Sequence, residues 1–200
     1  MIERLRRDAG QAFPIYVVMV AGLLFLVFAF FAVGKASALR NGAQGAADAA
    51  ALAAAQQARE EFEAPFLASL PEDTLDMFLR AHPVGGCTAA QGLASANQAD
   101  VTSCVPLPGG YTDRIKVKVE GYKPVDSSVL PGSKKTFAKA TATAVIKFRC
   151  SWTSVDYNDD SVRDMFFFSC GKDMLQIAPS SPPPWSEVSK ILYDVHLVDN

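Results

Sequence analysis

Residues 9–34 contain no charged side chain, and residues 12–33 within them read AFPIYVVMVAGLLFLVFAFFAV. A helix of these 22 residues rises ~33 Å at ~1.5 Å per residue, which matches a bilayer core of ~30 Å. Five phenylalanines leave the segment no polar face, which argues against a surface helix or a buried core helix. Pro14 falls in the first turn, where its missing N–H is tolerated. The segment therefore reads as a membrane helix over residues 12–34.

Arg4, Arg6 and Arg7 precede the run, while Lys35 and Arg40 follow it. With the amino terminus counted, positive charge favours a cytoplasmic start at residues 1–11 and an extracellular C-terminal part. Ala36-Ser37-Ala38 has the A-x-A form of a signal-peptidase site, with cleavage falling between Ala38 and Leu39. The run is longer than the ~7–15 residues of an ordinary signal-peptide core, which favours an uncleaved anchor.

Outside this run the charges are ordinary. The first ten residues hold three of the 19 basic and two of the 21 acidic side chains, leaving 16 against 19. That balance excludes the basic footprint of a nucleic-acid binder. With two histidines and four dispersed cysteines, neither a metal site nor a cofactor is expected. Cys87, Cys104, Cys150 and Cys170 all follow the membrane helix and none stands in a CxxC. An even count in an exported segment points to disulfides. Four cysteines allow three connectivities, and nearest neighbours, Cys87 with Cys104 and Cys150 with Cys170, would each close a compact loop.

Directly after the membrane helix, nine of the thirteen residues 43–55 are alanine. High helix propensity continues through Gln56, Gln57, Ala58 and Arg59, so one helix is predicted over residues 13–63, with Pro65 ending or interrupting it. Gly42 and Gly45 favour a bend at the join. The alanine stretch has two readings, close packing under its own domain and close approach of a neighbouring subunit's helix. Gly42, Gly45, Ala47, Asp48, Ala50, Ala51 and Ala54 are the candidate helix-packing and assembly residues. On the second reading, leucine at Ala47, Ala50 and Ala54 would impair association and spare membrane insertion.

Residues 66–80 suggest a short helix with Pro71 in its first turn, and residues 81–110 read as a loop broken by prolines and glycines. Two strands follow. Ile115, Val117 and Val119 alternate with charged residues, and Ala138, Ala140, Ala142 and Ala144 share one parity of residues 136–150. The narrow alanine face of the second strand suits the alanine helix. Between them, residues 123–135 form a long polar turn. Residues 163–170 suggest an edge strand, residues 182–184 a stiff proline linker, and residues 185–198 a short helix followed by a strand. The predicted fold is α+β, a small antiparallel sheet packed on a long N-terminal helix, with an exported head over residues 64–200 beyond the helical extension at 35–63.

Candidate chemistry is sparse. Asp156, Asn158 and Asp160 mimic the first positions of a calcium loop, but Ser161 and Phe167 replace the glycine and glutamate, so a solvated turn is the better reading. His82 and His196 lack a recognisable nucleophile motif and read as structural or solvated. No phosphate-binding or HExxH motif is present, and no enzyme is expected. Trp152, Phe166, Phe167, Phe168 and Trp185 read as core rather than as an adhesive patch.

Gly10-Gln11-Ala12, the apolar span, and NGAQGAADAAALAAAQ at residues 41–56 together resemble the TadE/TadG-like proteins of the tight-adherence, or Flp-type, pilus system. The resemblance covers residues 6–57. It implies a pilin-like fold and a minor-pilin or pseudopilin-like envelope protein. Its helix would lie in the bilayer and meet other pilus-assembly or pilin-like proteins in homo- or hetero-oligomers. Ile15 stands where processed pilins carry a glutamate five residues after the cut glycine, here Gly10. The resemblance with this departure implies an uncut, membrane-anchored accessory rather than a major subunit. The alternative function is a membrane-tethered ligand-binding or adhesin module that uses the helix only as a stalk.

Overall fold

A computed structural model describes residues 12–125 and 136–198. The arginine-bearing start, Gly10, Gln11 and most of the polar turn at 123–135 lie outside the described residues. Helix α1 (Ala12–Glu61) is 50 residues long, ~75 Å at 1.5 Å per residue. It runs without interruption through Gly42 and Gly45 and ends at Glu61. Glu61 is the residue four before Pro65, whose ring clashes with that carbonyl and whose nitrogen has no hydrogen to donate to it. The chain then re-enters a short helix, α2 (Glu63–Ser69), with Pro65 in its first turn.

The single helix predicted for residues 66–80 is two. Helix α2 stops at Ser69, and α3 (Leu75–Ala81) restarts after a turn that holds Pro71 and Asp73, the latter at φ +54°. The loop expected at 81–110 also contains regular structure, helix α4 (Cys87–Ala96) and strand β1 (Ala99–Leu107). Strands β2 (Thr112–Pro124), β3 (Phe137–Phe148) and, after helix α5 (Trp185–Leu192), the terminal β7 (Tyr193–Val198) complete an antiparallel sheet in the order β1-β2-β3-β7. Strands β4 (Ser151–Val155), β5 (Met165–Cys170) and β6 (Asp173–Ile177) form a second antiparallel sheet. Strand β5 is therefore its centre and not an edge, because Phe166 pairs with Ile177 on one side and Ser154 on the other.

Helix α1 lies across the four-stranded sheet, meeting β3 most extensively, and α4 covers it from another side. Small side chains make the approach close. Ala46, Ala47, Ala50, Ala51, Ala54, Ala55 and Ala58 are fully buried, as are Ala144 of β3 and Ala90 and Ala94 of α4. Where α1 ends, volume comes instead from rings. The Phe66 ring lies 5.3 Å from that of Trp185 and 6.0 Å from Phe168, and Phe62 lies 5.5 Å from Tyr193. One core thus changes from alanine to aromatic along the helix, and it crosses the sequence boundary between residues 35–63 and 64–200.

Two disulfides tie the periphery to this core. Cys87–Cys104 joins the start of α4 to β1, and Cys150–Cys170 joins the β3–β4 junction to the end of β5. The apolar part of α1 is different in kind. From Phe13 to Val33 its large side chains are exposed along the whole length, a helix long and apolar enough to cross a membrane.

Candidate functional site

The segment with the strongest sequence signal, residues 41–57, occupies the middle of α1. Its two faces have different fates. Ala47, Ala50, Ala51 and Ala54 have no exposed surface, since the sheet and α4 cover them. Their packing is intramolecular, and leucine at Ala47, Ala50 or Ala54 would strike the fold before any association. Gly42 and Gly45 stand on the open side, and a Cβ at either would meet nothing within 4 Å. Asp48 is half-buried between the two faces, and its Oδ1 accepts a 2.8 Å hydrogen bond from Gln44 Nε2. Of the candidate assembly residues, then, Gly42, Gly45 and Asp48 border open surface and the four alanines do not.

Gly86 explains how α4 gets so near α1. It caps α4 at φ +96°, and a Cβ there would lie 2.0 Å from the Ala54 carbonyl oxygen. Both the left-handed backbone and the missing side chain are required. Gln57 adds a polar tie, its Oε1 accepting from the Ala89 N–H at 2.7 Å. At the far end Trp185 Nε1 donates to the Arg59 carbonyl at 3.0 Å, which fastens α5 to the last turn of α1.

His82 is structural, as its sequence context suggested, but it is not solvated. Its Nδ1 lies 2.9 Å from the Phe78 carbonyl and its Nε2 lies 2.9 Å from Asp113 Oδ2. A carbonyl only accepts, so Nδ1 carries a hydrogen, and facing a carboxylate Nε2 does best with one too. Burial pulls the imidazole toward neutrality, but the Asp113 hydrogen bond, the Phe78 carbonyl and the Asp113 charge together hold its pKa above the ordinary value. Asp113 Oδ1 also accepts from the Gly109 N–H at 2.8 Å, which pins the turn before β2. With both ring nitrogens engaged, His82 has none left to serve as a base. His196 is exposed on β7, with Nδ1 3.0 Å from Asp194.

The acidic turn after β4 closes on itself. Asp156 accepts from the backbone N–H of Asn158 and Ser161, and Asp160 from that of Val162. Among the described residues no group of three or more histidine, cysteine or acidic side chains is arranged to hold a metal ion. The aromatics divide: Phe166, Phe168 and Trp185 are buried, whereas Trp152 and Phe167 are half-buried.

This arrangement defines a class, an α+β protein in which the one helix among the described residues long and apolar enough to cross a membrane is also the central helix of the folded part. Residues 10–57 match the family model Tad, described as putative Flp pilus-assembly TadE/G-like. The match covers the apolar span and the alanine segment and agrees with the family that the sequence resembles. The chain thus carries a TadE/G-like segment, and that segment includes a helix long and apolar enough to cross a membrane. Comparison with curated proteins and with solved structures finds no match.

Proposed function

We propose that the chain is an uncut, pseudopilin-like accessory of a tight-adherence pilus, with residues 1–11 cytoplasmic, 12–34 in the membrane and the head outside. One observation carries this reading: the residues matched by the pilus-assembly family are those in which a single helix passes from an exposed apolar face to a head-docked alanine face. Residues 35–63 work as a rigid adaptor and residues 64–200 as the head. Partner helices meet the exposed apolar span and the open side at Gly45 and Asp48. The fold is pilin-like in this sense, a membrane helix whose outer half is held by an antiparallel sheet.

The stalk alternative is disfavoured by the same packing, because a stalk would not supply seven fully buried alanines to the core of the module it carries. The test is fractionation of cells expressing a C-terminally tagged chain, with intact mass read in membrane, sheared-filament and medium fractions. A full-length mass confined to membranes supports the accessory reading. A product beginning at Gln11 in sheared filaments would make it a processed filament subunit, and one beginning at Leu39 in the medium would overturn the anchor.

A further inference from the structure

The end of the four-stranded sheet nearest the apolar span carries an unusual group of exposed side chains. Tyr122 and Lys123 close β2, and Phe137 opens β3, paired with Pro124 across the strands. Tyr122 is 47% and Phe137 36% exposed. Their height is fixed by a cleft of about 130 Å³, where Gly121, Tyr122, Lys123 and Ala138 face Ala38 and Gly42 of α1.

Helix and strand geometry then place this edge against the bilayer. Ala38 and Gly42 lie four and eight residues past Gly34, the end of the uncharged run, hence ~6 and ~12 Å beyond it. The headgroup layer on one side of a bilayer is ~5–8 Å thick. Thr141 of β3 lies beside Gln44, and Ala138 lies with Ala38 and Gly42, so β3 toward Phe137 and β2 from Gly121 toward Pro124 run back toward the lipid, by at most ~10 Å at ~3.3 Å per residue. Tyr122, Lys123 and Phe137 accordingly fall in the headgroup layer. Their chemistry suits it: tyrosine, with an apolar ring and a polar tip, and lysine are side chains that settle at membrane interfaces, and Phe137 adds a wholly apolar ring. The Tyr122 hydroxyl donates to Oδ1 of the exposed Asp100 at 3.3 Å. Arg40 is exposed on α1 at the same height. The nearby Glu120 is already paired with Lys139, Oε2 to Nζ 2.8 Å, so its charge is offset.

We infer that this sheet end is a lipid-binding surface, in which Tyr122 and Phe137 insert among phospholipid headgroups while Lys123 and Arg40 meet their phosphates. The inference rests on the reading of residues 12–34 as the membrane span, and it makes the bilayer itself the head's second partner. It is tested on the full chain in nanodiscs of phosphatidylcholine and phosphatidylglycerol. These contain lipids bearing a photoreactive diazirine either in the acyl chain or on the headgroup, and adducts are mapped by peptide mass.

The expected result is acyl-chain labelling within residues 13–33 and headgroup labelling at Tyr122, Lys123 and Phe137. The headgroup signal should be about fivefold or more above that at Val105 and Leu107, apolar and equally exposed on β1 toward its other end. Headgroup labelling no higher than at Val105 and Leu107, with the span still labelled, overturns the inference alone. Loss of acyl-chain labelling overturns the span reading with it. The triple variant Tyr122→Ser, Lys123→Glu, Phe137→Ser should lose the head adducts with both disulfides intact, and undiminished adducts elsewhere on that sheet end would also overturn the inference.

Discussion

His82 Nε2 and Asp113 Oδ2 lie 2.9 Å apart, and the two side chains are 2% and 3% exposed. They come from the end of α3 and the start of β2, elements that are far apart in sequence and meet only over the aromatic end of the core. Phe62 stacks edge-on against the imidazole at 4.4 Å between centroids.

Because His82 holds its proton more tightly folded than unfolded, protonation favours the fold. Its contribution is whole below the ordinary histidine value of 6.5 and is lost as pH rises through the elevated folded value. His82→Gln removes the positive charge that offsets a buried carboxylate and should cost ~3 kcal/mol at pH 6. The gap to the parent should narrow as pH rises toward 9. Thermal unfolding of both proteins across that range is the measurement, and a gap that widens with pH would contradict the assignment.

Gly86→Ala puts a methyl into the Ala54 carbonyl on a backbone at φ +96°. A loss of ~3 kcal/mol or more is expected from strain and clash together. Gly92, in the middle of α4 with open space around its Cβ position, is the matched control. Gly92→Ala should gain ~0.5–1 kcal/mol from helix propensity.

The two faces of α1 predict opposite outcomes for the same added side chain. Ala50→Leu overfills a site with no exposed surface and should destabilise the head by ~1–3 kcal/mol. Gly45→Leu points into open space and should leave unfolding unchanged or slightly delayed. On the proposed function, Gly45→Leu nevertheless reduces co-purification of pilus partners, read by pull-down from membranes.

The disulfides close loops with sequence separations of 17 and 20 residues. Replacing either pair with serine should cost ~3 kcal/mol through the added freedom of the unfolded chain. Non-reducing peptide mapping should recover Cys87 with Cys104 and Cys150 with Cys170, with no crossed pairs.

Tyr193 is buried, and its hydroxyl has no hydrogen-bond partner among the described residues. Burial, with the Asp113 charge adding to it, keeps the phenol neutral by pushing its pKa upward. Tyr193→Phe removes an unsatisfied polar atom at little cost in volume, so the variant should be ~1 kcal/mol more stable. A drop in melting temperature would show that the hydroxyl is satisfied after all.

Much of this architecture is written in local pattern. The uncharged run, the alanine helix and the parity of Ile115, Val117 and Val119 each declare themselves within a few residues, and the alanine face of β3 is legible as the seat for α1. Helix α4 is not, because its buried residues are only Ala90 and Ala94 and its first turn follows two glycines. Strand β1 is masked by Pro106, which reads as a loop residue but is tolerated on an edge strand. Strand β5 looks like an edge because its neighbours, β4 and β6, are only five residues each. The His82–Asp113 pair spans 31 residues and leaves no local trace, since His82 is followed by proline and Asp113 begins a strand. The division of α1 into closed and open faces needs the position of α4, so the sequence leaves the alanines open between packing under their own domain and subunit contact, and the structure buries Ala47, Ala50, Ala51 and Ala54 within the head.

Helix α1 leaves the apolar span and enters the core of the head without a break. On the proposed function the head is therefore geared to the bilayer. One residue inserted between Gly34 and Ala38 would swing it ~100° about the helix axis and lift it only ~1.5 Å. On the proposed function, the azimuth at which the head faces its neighbours is set by the spacing of a few small residues where the helix leaves the membrane.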